Sequence, residues 1–197
     1  MLKELLHSRA SGHLYSRATE AALVAANISA RDPATGVPTD AAALDAQALA
    51  EATAREMYRR DRASQSWGMQ VVAVRPGYAC LTMTVREDMT NGHGKCHGGL
   101  IFTFADSAFA FACNSHNVLT VGSGADIEYL LPVELGDELT ATAQERSRSR
   151  RTGIYDVTVS NRAGACVALF RGRSRQFEGQ SILPSASSAV AAHTDSA

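Results

Sequence analysis

The sequence predicts an α+β fold in which an antiparallel sheet wraps around one long, enclosed helix, and three observations carry that expectation. From Leu100 to Cys113 there is no glycine, no proline and only three polar side chains. A helix apolar nearly all round is enclosed on most sides. On both sides of it lie valine-rich or strictly alternating segments of strand length, separated by Gly, Pro and Asn turns. A helix wrapped by about five antiparallel strands is the economical way to bury all of these faces at once.

At 197 residues the chain is long enough for one sizeable core, so we expect one folded domain over 40–178 with extensions at both ends. Residues 1–39 mix Ala, Ser, His and Arg and finish in Arg31-Asp32-Pro33-Ala34-Thr35-Gly36-Val37-Pro38, which is linker punctuation. This N-terminal extension, with short helical stretches and few large apolar groups, is expected to be flexible. Deleting residues 1–38 should therefore leave both the melting temperature and the turnover of the remaining chain nearly intact; a large loss of melting temperature would show that the segment docks on the core.

Thr39 or Asp40 is a suitable N-cap for a leading helix that runs through Leu44, Leu49, Met57 and Tyr58 to about Arg62. Beyond Ser66-Trp67-Gly68 the period changes to two. Met69–Arg75 and Tyr78–Val85 flank Pro76-Gly77 and read as a hairpin, with Ala79, Leu81, Met83 and Val85 opposite Cys80, Thr82 and Thr84. Further strands are expected over 120–131, 138–146, 153–160 and 164–175, with turns at Arg151-Thr152-Gly153 and Asn161-Arg162-Ala163-Gly164. The Ser- and Ala-rich tail 179–197 is expected to be disordered.

Composition narrows the function. A formal net charge of -1 gives no overall attraction to polyanions, which argues against a nucleic-acid binder. Cys80, Cys96, Cys113 and Cys166 lie far apart with no CxxC pair, as suits free thiols in a reducing compartment. No apolar run approaches the ~18 residues of a membrane span, and Glu4 and Glu20 spoil a transit peptide, so a cytoplasmic chain without a membrane partner is expected.

The chemistry concentrates between Asp88 and Asn114. Within the enclosed helix Thr103, Ser107, Ala110 and Asn114 form one narrow stripe, small or polar, with Asp106 at its border. Something other than the chain's own core is expected to face that stripe. A carboxylate there is costly to keep ionised, and function explains its presence better than a structural hydrogen bond does. His97-Gly98-Gly99 at the helix start leaves backbone N–H groups unblocked where the helix dipole favours negative charge. His93, Cys96 and His97 include metal-ligand types, but the x2 gap has no second pair downstream, so no metal site is expected. Ser107 lacks a histidine within a helical turn and reads as stripe polarity or a substrate partner. Asn91 either orients substrate or closes an Asx-turn with Gly92. Arg148, Arg150, Arg151, Arg171, Arg173 and Arg175 are either partners for the phosphates of a ligand or merely solvated.

Asn91-Gly92-His93-Gly94, Cys96-His97-Gly98-Gly99-Leu100-Ile101-Phe102 and Ala105-Asp106-Ser107-Ala108-Phe109-Ala110 together resemble the phenylacetate-pathway (PaaI-type) thioesterases of the hotdog superfamily, and the likeness extends over roughly 65–176. The resemblance implies a hotdog fold and hydrolysis of aryl- or phenylacetyl-type CoA thioesters, hydroxyphenylacetyl among them. It makes Asp106 the catalytic carboxylate, as nucleophile or as general base, and gives the oxyanion-binding N–H to Gly98. His97 reads first as a structural residue whose ring hydrogen-bonds and fixes the loop, and second as a group touching substrate; on our own reading of the residues it is placed with Asn91 in the catalytic set, and Gly99, Thr103 and Ser107 form the substrate-binding set. No cofactor is implied beyond the coenzyme A of the substrate. A hydratase on the same fold and a non-catalytic acyl-CoA-binding module are the rival readings. Gly98 and Asp106 stand eight residues apart, ~12 Å along one helix, too far to serve one thioester carbon. A homodimer sharing its sites is therefore expected, and the resemblance implies that such dimers pair again into a tetramer.

Overall fold

The computed structural model describes residues 46–183. The extension 1–39, the start of the leading helix and the tail beyond Leu183 lie outside the described residues.

Helix α1 spans Ala46–Arg60 and buries Ala50, Thr53 and Ala54. It stops before the expected Arg62 because Asp61 caps a second, short helix α2 (Arg62–Ser66), its carboxylate accepting from the Ser64 N–H at 2.9 Å and the Ser64 hydroxyl at 2.6 Å. Two side chains fasten α1 to the segment 69–75. Gln47 donates to the carbonyl of Val74 at 2.9 Å, and the Tyr58 hydroxyl donates to the carbonyl of Met69 at 2.8 Å.

The hairpin is present as β1 (Gln70–Arg75) and β2 (Tyr78–Thr84), paired antiparallel. Gly77 turns it with φ of +71°, and a Cβ there would lie 2.8 Å from Cβ of Glu145, so only glycine suits the position. Strands β3 (Thr120–Tyr129), β4 (Glu138–Arg148), β5 (Thr152–Asn161) and β6 (Cys166–Gln176) complete one six-stranded antiparallel sheet in the order β1-β2-β4-β5-β6-β3. Strand β3 comes straight after the central helix in sequence yet pairs with β6 alone, at the far edge. The turn expected at Arg151-Thr152-Gly153 lies earlier. Ser149 donates to the carbonyl of Thr152 at 2.8 Å, which draws Thr152 and Gly153 into β5, whereas the turn expected at Asn161-Arg162-Ala163-Gly164 is present, with the Gly164 N–H donating to the Asn161 carbonyl at 2.9 Å.

The central helix α3 (Gly98–Asn114) lies in the wrap of this sheet, with Phe104, Phe109 and Phe111 almost wholly buried against Leu81, Met83, Leu139, Tyr155 and Val157. Each of these large side chains contributes about 1.5 to 3 kcal/mol by leaving water. Phe109 occupies a socket. Its ring lies 5.5 Å from Tyr155 and 6.0 Å from Phe170, and a Cβ on Gly172 would come within 2.7 Å of it. At the C-terminal end of α3, the Tyr155 hydroxyl donates to Glu145 at 2.8 Å and His116 Nε2 lies 3.1 Å from the same carboxylate oxygen. Past β6 the chain folds back. The Leu119 N–H donates to the carbonyl of Gln180 and the Leu183 N–H to Asn117 Oδ1, both at 2.9 Å.

Candidate active site

The first turn of α3 is organised by its cap. His97, in extended backbone (φ −65°, ψ 131°), accepts the Gly99 N–H on Nδ1 at 2.9 Å, and its carbonyl accepts from Leu100 at 2.8 Å. Of the two glycine N–H groups expected to be open to a ligand, that of Gly99 is thus taken by the cap. The Gly98 N–H has no hydrogen-bond partner among the described residues. It is the donor left for an anion at the positive end of the helix dipole. On the other side of the same residue, the Tyr129 hydroxyl donates to the Gly98 carbonyl at 2.8 Å, and a Cβ on Gly98 would meet that ring at 3.1 Å. Tyr129 had no signature in the sequence, because its contact with Gly98 spans 31 residues and arises from the edge placement of β3.

Ahead of the cap, Asn91 accepts from the His93 N–H at 2.9 Å and the Lys95 N–H at 3.2 Å. Its side-chain oxygen therefore closes an Asx-turn, the second of the two roles open to it, and its amide NH2 remains. Lys95 pairs with Glu134, and the His97 N–H donates to Met89 at 2.8 Å, so the loop is tied at both sides. No group of three or more His, Cys, Asp or Glu capable of holding a metal gathers among the described residues.

The stripe along α3 divides in a way the spacing did not foretell. Thr103 donates to the Gly99 carbonyl of its own helix at 2.8 Å, Ser107 meets Ser64 of α2 at 3.1 Å, and Asn114 is buried. The Asn114 amide accepts the Thr120 N–H and donates to the Thr120 carbonyl, each at 2.9 Å, and so closes the bend from α3 into β3. Much of the stripe thus faces the chain itself, because α2 and the 115–120 bend fold back over it. Asp106, Ala110 and Asn114 line a cavity.

That cavity, about 590 Å³, is lined by Asp106 and by apolar side chains among which are Met57, Phe102, Phe109, Leu119 and Ile182. Asp106 has no hydrogen-bond or ion-pair partner among the described residues. Although the residue is exposed in the single chain, the concave apolar walls strip water from its carboxyl, and that desolvation raises its pKa above the usual aspartate range. Cys113 lines the same space, its thiol pushed up to about 12 by burial, so it stays protonated and acts as apolar wall. Gly98, Asn91 and His97 do not line the cavity. Within one chain the expected oxyanion donor and the carboxylate remain apart, the one at the start of α3 and the other at its middle.

Of the arginines considered as phosphate partners, Arg171 pairs with Asp156 at 2.7 Å and Arg173 with Asp126, while Arg148 lies 3.4 Å from Glu145 and Arg150 2.6 Å from Glu178. Arg171 and Arg173 belong to a charge ladder on the outer face of the sheet.

A sheet wrapped around a long helix in this way defines a hotdog fold. The profile of the Thioesterase superfamily matches residues 93–168. Acyl-coenzyme A thioesterase PaaI of Escherichia coli (strain K12) is 44% identical over 126 residues, covering 64% of this chain and 90% of that protein. The structure of the E. coli PaaI protein superposes with a TM-score of 0.68 at 42% identity, covering 69% of this chain and 99% of that one. A variant of phenylacetic acid degradation protein PaaI from Thermus thermophilus gives 0.58 at 36% identity over 59% and 100%. A Streptococcus mutans UA159 protein bound to acetyl CoA gives 0.55 at 28% over 57% and 90%. The chain belongs to the thioesterase superfamily, in its PaaI type, and is a hydrolase acting on the thioester bond of acyl-CoA. The fold and the enzyme class expected from the sequence are both borne out. Among the described residues no helix is long and apolar enough to cross a membrane.

Proposed function

We propose that this thioesterase cleaves aryl- and phenylacetyl-type CoA thioesters, hydroxyphenylacetyl included, with Asp106 as nucleophile or general base and the Gly98 N–H of a second subunit as oxyanion donor. The observation that carries this reading is the pairing of two unsatisfied groups, a carboxylate without a partner and a helix-start N–H without a partner among the described residues, in a fold that places them ~12 Å apart along one helix. Each does chemistry only when another subunit supplies the other. Strand β3 supports that assembly. It is an unpaired ten-residue edge carrying exposed Val121 and Tyr129, continued by exposed Leu130 and Leu131, the kind of edge that pairs with a second copy when nothing blunts it. Dimers paired again would give the tetramer.

In the assembled site the thioester carbonyl oxygen would lie on the Gly98 N–H, where charge develops as the carbonyl carbon becomes tetrahedral. Asp106 would approach the same carbon from the opposite chain. It would either attack directly, the C–S bond breaking to release CoA thiolate and leave a mixed anhydride that water then cleaves, or draw a proton from an attacking water, the tetrahedral intermediate then expelling CoA thiolate to leave the free acid. No resident cofactor is needed for either route. The Asn91 NH2 would orient the substrate. The four free cysteines suit a cytoplasmic setting.

The acyl preference is supported by the walls of the cavity, which present Phe102 and Phe109 among aliphatic side chains and no lysine or arginine. Free-thiol release from phenylacetyl-, hydroxyphenylacetyl-, benzoyl-, acetyl- and octanoyl-CoA tests it. The aryl-acetyl esters should exceed the aliphatic ones in kcat/KM by about tenfold or more, the scale on which apolar pockets discriminate. A preference for octanoyl- or acetyl-CoA would overturn the aryl reading.

A further inference from the structure

The cavity in front of Asp106 is built from more than the helix and the sheet. Two of its apolar wall residues come from elements outside the stretch matched by the superfamily profile: Met57 from α1 and Ile182 from the segment after β6. Both are half-buried. Neither position is loose. The turn of α1 that carries Met57 is held by the neighbouring Tyr58, whose hydroxyl donates to the Met69 carbonyl and whose ring lies 6.4 Å from Phe111 of α3. The segment carrying Ile182 is stitched to the bend after α3 on both sides, through Phe177 N–H to the Leu119 carbonyl, Leu119 N–H to the Gln180 carbonyl, and Leu183 N–H to Asn117 Oδ1, each at 2.9 Å.

The chemistry of the walls says which end of the substrate this space receives. Coenzyme A carries anionic phosphates and a polar pantetheine arm, which call for cations and hydrogen-bond partners. The cavity offers neither. Its polar side chains apart from Asp106 are Asn114 and Thr120, and these are already satisfied, Asn114 by the Thr120 backbone and the Thr120 hydroxyl by the carbonyl of Val118 at 2.8 Å. The acyl group therefore enters here and the CoA arm leaves in another direction.

We propose that Met57 and Ile182 set the depth of the acyl pocket, so that a strap following the last strand and the helix leading into the first one together determine the longest acyl group the enzyme accepts. This rests on the thioesterase site proposed above and adds to it the residues that fix its size. In an apolar pocket one methylene more or less changes kcat/KM by about 10- to 200-fold, so trimming a wall should be read directly in length preference.

The test uses the full chain and its Met57→Ala, Ile182→Ala and Ile182→Trp variants, assayed by thiol release on two pairs of substrates, phenylacetyl- against 4-phenylbutyryl-CoA and butyryl- against octanoyl-CoA. Trimming either wall should raise the long-to-short ratio of kcat/KM about tenfold, mainly through KM, and Ile182→Trp should lower it by a similar factor while the short substrate is still turned over. The opposite shifts of the Ala and Trp variants separate pocket depth from a general loss of folding, which would depress both substrates together. Ratios that stay within about twofold of the parent chain in all three variants would overturn the proposal and leave the catalytic reading standing. A parent chain that releases no thiol from any of the four esters would overturn both.

Discussion

Asp106→Asn should abolish thioester hydrolysis while leaving the protein folded and able to bind substrate. Asparagine is nearly isosteric, and Asp106 makes no hydrogen bond among the described residues, so nothing in the packing of α3 depends on the charge. What is lost is the basic oxygen, which neither attack on the thioester carbon nor proton abstraction from water can do without. Steady-state kinetics should show kcat reduced by at least ~10²-fold with KM little changed. Near-normal kcat on the best substrate would make Asp106 structural.

The same residue predicts a pH dependence with a definite sign. Desolvation raises the Asp106 pKa in the folded chain, so the folded state holds the proton more tightly than the unfolded one. Its contribution to stability is fully present below the unfolded pKa and is lost as pH rises through the raised folded value. Thermal melting should find Asp106→Asn at least as stable as the parent chain at neutral pH, with the difference narrowing in acid. Activity runs the other way, since the ionised carboxylate is the working form, and kcat should rise with pH through a pKa above the ordinary aspartate range.

Gly98→Pro should cost kcat ~10²- to 10³-fold, the effect of removing one oxyanion donor. Proline is well suited to the first position of a helix, where its missing N–H replaces one that has no intrahelical partner, so the variant removes the donor with little insult to α3. The half-exposed Tyr129 ring, 3.1 Å from the position of the added carbon, has to give way slightly. Mixed with Asp106→Ala chains and co-assembled, these inactive subunits should recover part of the activity, because a heterodimer holds one intact pair of Asp106 and Gly98. Absence of recovery in verified heterodimers would refute shared sites.

Much of the fold was legible because its period is local. The enclosed helix announced itself in a run, Leu100 to Cys113, without a glycine or proline, and the alternation of Tyr155, Val157 and Val159 against Ile154, Asp156 and Thr158 is borne out by their burial. The break at Asp61 escaped because an aspartate within a run of helix formers caps a new helix only if Ser64 turns back to meet it. In the site, Asp106 and the glycine pair were visible as exceptions to their surroundings, whereas the choice of Gly98 over Gly99 depends on where the His97 ring points. Met57 and Ile182 are unremarkable apolar residues in sequence. Their roles arise from contacts between distant parts of the chain, which no spacing records.

Phe109 fits the space that Gly172 leaves, with Gly122 allowing a second close approach at 3.4 Å, and it sits about one turn beyond Asp106 on the same rigid helix. The helix is indexed along the sheet as a key is indexed by its lock, by a ring entering a notch that two missing side chains create. The reach of the carboxylate into the cavity is thus written in strand positions that carry hydrogen instead of carbon, and its aim is set by what the sheet leaves out.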